Sequence, residues 1–139
     1  GSNMMTDTTA QNFADAAMLE DAAARIDDPD RWTTRTPTRD KYDIPVLVTS
    51  TYAVRWCALG SLQLACFGTT ERYGSNPGAD DAWSRVTHRL GLLLADRNPE
   101  YRRMHHREVI TAFADHRGDR GRVAIVQAMR DAATELRGI

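Results

Sequence analysis

The sequence predicts an all-α domain of about five helices packed around one central apolar helix. Three observations support this fold class. A nearly continuous apolar stretch covers residues 51–67, amphipathic patterns with helical spacing flank it, and only residues 44–48 have a β-like composition. Because one short strand without a clear partner cannot form a sheet, we expect helices to build the whole core.

The central helix is predicted over residues 51–67, TYAVRWCALGSLQLACF. Its apolar residues recur at intervals of three and four and also cover most of the remaining helix surface. A helix that is apolar on nearly all sides has to be surrounded by other elements. Ser50 or Thr51 can cap its start and Gly68 can end it. Gly60 in its middle indicates that another helix crosses closely at that point.

Helical spacing of apolar residues also predicts helices over residues 11–27, 80–95 and 119–136. Between the last two, the pattern fits either one bent helix over 101–115 or a short turn followed by a helix over 105–115. Asn98-Pro99 supplies a cap followed by proline at a first helical position. His116 to Gly118 breaks the helical pattern, and Asp119 can cap the last helix. Residues 69–79 form a turn-rich loop.

Residues 31–50 contain two prolines and many threonines, and they predict a long ordered loop. We expect Trp32, Ile44, Val46 and Val48 to hold this loop against the core. Loops of this length are uncommon in compact domains and are often functional. The loop over 31–50 is therefore a candidate site.

The length of 139 residues corresponds to one domain, and 42% hydrophobic and 27% charged residues are globular values. We expect residues 1–10 to be a disordered tail that begins with a Gly-Ser-Asn cloning remnant, and residues 11–139 to form the single domain. No apolar run reaches the ~20 residues of a membrane span and no signal-peptide core is present, which predicts a cytoplasmic protein without membrane contact. Seventeen arginines against one lysine indicate a GC-rich genome, such as that of an actinobacterium or one of its phages.

Charge is unevenly distributed along the chain. Residues 1–30 carry seven acids against one arginine, a net charge of −6, whereas residues 97–122 carry seven arginines against four acids, a net charge of +3. Either the two regions meet in the fold or each faces a different partner. Nucleic-acid binding through 97–122 is a weaker alternative, because acids are interleaved and no nucleic-acid-binding motif is present.

Cys57 and Cys66 lie nine residues apart. On one continuous helix they are about 13 Å apart, too far for a disulfide, and a buried thiol ordinarily acts as a small apolar side chain. If the protein is an enzyme, Cys57 is the candidate nucleophile of a hydrolase or transferase. His116 or His105 would then act as the base, and Asp115 would orient it.

No metal site or cofactor is expected. His105 and His106 are adjacent, so they point in different directions on a helix, and the positions four residues on are Val109 and Ile110. The run HHRE also lacks the HExxH order of zinc proteases. Asp115, at the corner before the last helix, is predicted to have a structural role in capping or turn formation.

Trp32, the segment AVRWCALGSL (53–62) and the corner FADHRGDRGRV (113–123) together resemble an uncharacterised family of small actinobacterial and phage domains. That family has an A-x-x-W-C-A-x-G-A-L core helix and a W-N-D-like corner, and the resemblance covers roughly residues 13–137. Ser61 stands where the family has alanine, Phe113 where it has tryptophan and Ala114 where it has asparagine. The resemblance supports the fold and implies no activity.

The leading functional hypothesis is a small non-enzymatic interaction module, phage- or host-encoded, that binds a protein partner or associates with itself. It is based on the absence of a coherent catalytic set, the charge asymmetry and the ordered loop. The expected binding residues lie in that loop and in the arginine-rich region: Trp32, Arg39, Asp40, Arg102, Arg103 and Arg107.

Overall fold

The computed structural model describes residues 2–68 and 78–138. Four helices form most of it: α1 (Ser2–Ile26), α2 (Ala58–Phe67), α3 (Ala79–Arg97) and α4 (His106–Leu136). Short 3₁₀ helices cover Pro29–Arg31 and Pro99–Tyr101, and two-residue strands β1 (Thr38–Arg39) and β2 (Arg55–Trp56) pair antiparallel. The all-α class is confirmed, although the described residues contain four helices rather than five.

The central helix is shorter than predicted, because it begins at Ala58 and not at residue 51. The preceding residues leave the helical path: Trp56 pairs with Thr38, and the backbone N–H of Cys57 donates to the Pro37 carbonyl at 3.0 Å. From Ala58 onward the prediction of a core helix is confirmed, since no residue of α2 is exposed and Leu62 is fully buried. The apolar residues before Trp56 belong to a loop that the sequence pattern alone did not separate from the helix.

Gly60 marks a close approach, but of the loop rather than of another helix. A Cβ atom at this position would overlap the carbonyl group of Pro37. The same carbonyl accepts the hydrogen bond from Cys57, so the backbone at Pro37 lies directly on the first turn of α2. Glycine is needed here because it has no side chain to hold the two backbones apart.

The last two predicted helices are one element with a kink at the predicted break. Gly118 has φ 56° and ψ −135°, a conformation that side-chain-bearing residues rarely adopt. Before α4, the short 3₁₀ turn at Pro99–Tyr101 confirms the alternative of a turn followed by a helix. Asn98 does not cap that turn with its side chain but donates to the Leu94 carbonyl at the end of α3.

The acidic and basic regions of the chain meet in part. The buried guanidinium of Arg122 donates to the carbonyls of Ile26 and Asp27 at the end of α1, and to Asp119 at 2.7 Å. The Arg122 guanidinium also lies 3.9 Å from the Asp27 carboxylate. Two arginines beyond the basic region add pairs with α1 and its end: Arg130 with Asp27 at 3.1 Å, and Arg137, just after α4, with Glu20 at 2.9 Å. Arg122 therefore satisfies carbonyls that α1 leaves without helical partners.

The core lies where α4 packs along α1 and α3, and α2 contacts all three of these helices. Helix α1 extends back to Ser2, through the segment for which the sequence suggests a disordered tail. The predicted loop over 69–79 falls mostly on residues 69–77, which lie outside the described residues. Among the helices of residues 2–68 and 78–138, none is long and apolar enough to cross a membrane.

Candidate functional site: the loop over 29–57 and the Cys57 cavity

The loop between α1 and α2 is ordered by a small network of backbone hydrogen bonds. Thr33 donates to the Trp56 carbonyl at 3.0 Å, Val54 to the Arg39 carbonyl at 2.9 Å and Val46 to the Thr38 carbonyl at 3.2 Å. Four segments therefore lie side by side. The strands β1 and β2 are in the middle, Pro45 pairs with β1 on one outer side, and Trp32 pairs with β2 on the other. The prediction of a long ordered loop is confirmed.

Trp32 and Trp56 attach this network to the helical bundle. Both indole rings are half-buried and pack against the core, and the guanidinium of Arg25 on α1 lies 5.8 Å from the Trp56 ring. Arg25 also donates to the Ser61 carbonyl at 2.9 Å and to the Ser61 hydroxyl at 3.0 Å. Trp32, which we expect in a binding site, thus contributes to the attachment of the loop.

Arg39 and Asp40 shape the loop from within. Arg39 donates to the Thr33 hydroxyl and to the Asp43 carbonyl, both at 2.9 Å. The Asp40 carboxylate accepts from the backbone N–H groups of Tyr42 at 2.9 Å and Ile44 at 3.0 Å, which closes a tight turn. Both predicted binding residues are therefore engaged in internal hydrogen bonds.

The apolar side chains of the loop divide into two sets. Val48 is buried, as expected, but Ile44 is 56% exposed, so the expectation that it anchors the loop is wrong. Tyr42 and Ile44 lie in the turn that Asp40 closes, and both side chains are exposed, as are three further apolar side chains of the loop. We call these groups the loop face, and they are Tyr42, Ile44, Leu47, Tyr52 and Val54, with Leu47, Tyr52 and Tyr42 at least 72% exposed.

A small cavity of about 180 Å³ lies between the loop, the start of α2 and the first third of α4. The loop lines it with residues 34–37, α2 with Cys57 to Leu59, and α4 with Ile110, Thr111, Ala114 and Asp115. The cavity thus brings together two of the predicted catalytic candidates, Cys57 and Asp115. Its described lining contains no histidine.

Cys57 caps α2 through its sulfur atom. The Gly60 N–H donates to the Cys57 Sγ at 3.3 Å, so the thiol receives a hydrogen bond from the first turn of the helix. Burial raises the pKa of the Cys57 thiol, hydrogen bonds from backbone N–H groups oppose the rise, and the charge of Asp115 adds to it. A raised pKa keeps the sulfur protonated, whereas a nucleophilic cysteine needs a lowered one. Cys66 is also a free thiol, buried on α2, and burial raises its pKa to about 12.

The other predicted candidates lie elsewhere on α4 and its approach. His116 and Asp115 border a second, shallower depression with Thr111. His105 caps α4, where its Nδ1 accepts from the Arg107 N–H at 3.3 Å. Arg102, Arg103 and Arg107 are exposed, as a binding role requires. Neither these arginines nor His105 line the Cys57 cavity.

Sequence reasoning missed two features. The exposure of Tyr52 and Val54 was hidden because both residues fit the helical pattern assigned to residues 51–67. His88 on α3 was missed because it joins His105 and His106 only through the packing of α3 against α4, with its ring centroid 5.1 Å from that of His106. For the segment that contains Tyr52 and Val54, the available signal was the β-branched and threonine-rich composition of residues 48–54, which is typical of non-helical structure.

The structure defines a helical bundle with an ordered loop packed across the start of a core helix. The sequence matches a family of unknown function, DUF6197, over residues 11–135, and the chain belongs to this family. Comparisons with curated proteins and with solved structures gave no match.

Proposed function

We propose that this protein is a non-enzymatic binding module whose loop face docks an acidic protein partner. The loop face carries the proposal, because it places five large apolar side chains in solvent on a segment with a defined backbone. A contiguous exposed apolar patch marks a protein-binding site, and the segments that carry Ile44 and Val54 flank Arg39 on either side. Preordering also lowers the entropy cost of binding.

The contrast with the rest of the molecule supports this location. The described residues contain nine exposed large hydrophobic side chains, and five of them belong to the loop face. Two of the five are tyrosines, which are enriched in interfaces because their rings combine apolar area with a hydrogen-bonding hydroxyl. Hydrogen bonds place Ile44 next to Asp40 and Val54 next to Arg39 on adjacent segments.

Charge identifies the class of partner. The loop over 29–57 carries five basic and three acidic side chains, a net charge of +2. Of the acids, Asp30 lies at the start of the loop, Asp40 is occupied by the backbone of its own turn, and Asp43 lies within 4 Å of both Arg39 and Arg55. A partner with an apolar patch and an acidic rim would complement this surface.

A site-specific photocrosslinker tests the proposal. Benzoylphenylalanine is placed at Tyr52 in the loop face or, as a matched control, at Val123 on α4, which is also an exposed large apolar residue (53%). After irradiation in a lysate of the native host, we expect a discrete adduct with one acidic protein from position 52 and none from position 123. Leu47→Asp in the same chain should abolish the adduct without lowering the melting temperature.

Reconstitution with the purified partner provides the second readout. Binding should weaken at least about tenfold with Leu47→Asp, and also weaken as salt concentration rises. The proposal is overturned if positions 52 and 123 give the same adducts, if only adducts between copies of this chain form, or if the purified partner binds Leu47→Asp as tightly as the unaltered protein.

A further inference from the structure

Another depression lies where α3 packs against the start of α4, separate from the loop face, from the Cys57 cavity and from the depression at His116. Its volume is about 200 Å³, and it is lined by three imidazoles and one guanidinium among otherwise apolar residues. We call it the histidine cleft, defined by His88, Arg102, His105 and His106. Among the described residues that line it, none carries a carboxylate.

The three imidazole rings are packed in a fixed order. The ring of His106 lies between the other two, 3.9 Å from the centroid of His105 and 5.1 Å from that of His88. The His88 ring meets it edge-on, and the His105 ring is tilted by 34° from parallel. Gly91 on α3 permits this arrangement, because a Cβ atom there would overlap the backbone of His106.

This geometry favours an anion over a metal ion. A metal ion needs its ligand nitrogens within about 2 Å of a single point, and the closely packed rings of His105 and His106 do not supply such a point. A larger anion instead accepts hydrogen bonds at several separated oxygens, from donors that point in different directions. Within residues 2–68 and 78–138, no group of three or more histidine, cysteine or acidic residues is arranged to hold a metal. Since the Nδ1 of His105 accepts from the Arg107 N–H, its own proton is on Nε2, where it is a donor.

The charges around the cleft favour the same type of ligand. Arg102, Arg103 and Arg107 are exposed, and their side chains show no ion pair with any described residue. Of the nearby acids, Glu100 pairs with Arg117 at 2.6 Å, and Glu108 lies on the first turn of α4. On the α3 side, Arg89 and Asp96 border a different depression together with His88.

Burial and neighbouring positive charge oppose the protonation of His106. Burial lowers its pKa, the charges that His105 and His88 gain on protonation lower it further, and the charge of Arg107 acts in the same direction. A bound anion would offset that repulsion and favour the protonated form of His106. Ligand binding and proton uptake should therefore be coupled.

We propose that the histidine cleft binds the phosphate group of a small molecule. A phosphate offers three strong acceptor oxygens and carries a charge of about −1.5 to −2 near neutral pH. Those oxygens match the donors that three imidazoles and one guanidinium can supply. The compact shape of the cleft fits one phosphate group better than an extended nucleic-acid backbone, and the site is independent of the loop face.

Titration of the full chain with inorganic phosphate tests this proposal, monitored by NMR of the imidazole resonances. We expect saturable shifts at His88, His105 and His106, and an increase in the measured pKa of His106 when phosphate is bound. Because phosphate itself gains a proton between pH 8 and pH 6, the pH dependence is measured with inorganic sulfate, whose charge is constant over this range. Its affinity should increase as the pH falls, because protonated imidazoles bind the anion more strongly.

Variants locate the site. Arg102→Gln should weaken phosphate binding about tenfold, which corresponds to the loss of one charge-assisted hydrogen bond. Arg120→Gln is the matched control, since Arg120 is an exposed arginine on α4 that does not line the cleft, and it should bind phosphate like the unaltered protein. His88→Gln provides a further variant on a separate helix and should also weaken binding.

The proposal is overturned if the imidazole resonances do not shift at 20 mM phosphate, or if Arg102→Gln and Arg120→Gln bind phosphate with equal affinity. It is also overturned if a DNA or RNA oligonucleotide binds the same residues more tightly than phosphate does. Saturable binding of zinc by the three histidines without binding of phosphate would have the same consequence.

Discussion

The helical bundle and the loop over 29–57 are stabilised in different ways. In the bundle, apolar side chains such as Leu62, Phe113 and Met129 are fully or almost fully buried, and packing supplies most of the stability. In the loop, apolar side chains such as Leu47 and Tyr52 face solvent, and the backbone is fixed by hydrogen bonds instead. A leucine thus stabilises the fold in the bundle, whereas in the loop a leucine remains available for binding.

This difference shows how a small domain can keep apolar groups exposed without losing its structure. The loop needs few buried side chains because Pro37 and Trp56 join it to α2, and Asp40 closes its turn. Substitutions that leave the hydrogen bonds intact should therefore alter binding and not folding. Substitutions in the bundle should do the opposite.

A pair of matched leucine truncations tests this contrast and has the largest expected effect. Leu62→Ala should lower the free energy of unfolding by about 2–5 kcal/mol, because it removes a fully buried side chain from the core. Leu47→Ala should change it by less than about 0.5 kcal/mol, because that side chain is 78% exposed. Urea denaturation followed by circular dichroism measures both values. Similar losses in the two variants would show that the loop is part of the packed core.

The junction between the two regions gives the next effect. Gly60→Ala should destabilise the protein by about 1–3 kcal/mol, because the new methyl group would overlap the Pro37 carbonyl and push the loop away from α2. Helix propensity alone predicts a gain of about 1 kcal/mol for the same change. The sign of the difference measured by thermal or urea unfolding therefore decides whether the loop lies on the first turn of α2.

Within the bundle, replacement of Arg122 should have a smaller effect on the free energy of unfolding. Arg122→Met should cost about 1–2 kcal/mol, because the carbonyls of Ile26 and Asp27 lose their donor in a buried position. Arg120→Gln, two residues away on the exposed side, should leave stability within about 0.5 kcal/mol of the unaltered protein. Equal stability of the two variants would argue that water replaces the guanidinium at the end of α1.

The sequence was sufficient for most of the bundle. Helical periodicity placed α3 within two residues of its observed ends, and the break predicted around Gly118 coincides with the kink in α4. These features depend on local patterns that a single sequence contains. The start of α2 was wrong by seven residues because residues 51–57 are apolar with helical spacing, while pairing of Trp56 with Thr38 is a non-local interaction.

The candidate site was predictable only in outline. The proline- and threonine-rich composition identified the loop over 31–50, and two of the candidate catalytic residues, Cys57 and Asp115, do line one cavity. The composition could not show that Arg39 and Asp40 bond within the loop, or that Ile44 faces solvent. Those outcomes follow from one turn, in which Asp40 accepts from two backbone N–H groups.

Cys57 lies at the boundary between the two regions, and its reactivity gives the smallest but chemically most specific test. Because burial raises the pKa of its thiol, less thiolate is present near neutral pH than for a free cysteine. Iodoacetamide should therefore label Cys57 at least about tenfold more slowly in the folded protein than in urea at pH 7.5. Peptide mapping separates this label from that of Cys66, whose pKa is raised to about 12.

The carboxylate of Asp115 refines the same measurement. Its negative charge contributes to the raised pKa of Cys57, so Asp115→Asn should lower that pKa and accelerate labelling about twofold. Asp119→Asn is the matched control, since Asp119 pairs with Arg122 and does not line the Cys57 cavity, and it should leave the rate unchanged. Fast labelling of the folded protein that Asp115→Asn slows would instead mean that the carboxylate activates the thiol. In that case the hypothesis of a Cys57-dependent hydrolase or transferase would replace that of a binding module, because burial would no longer keep the sulfur protonated.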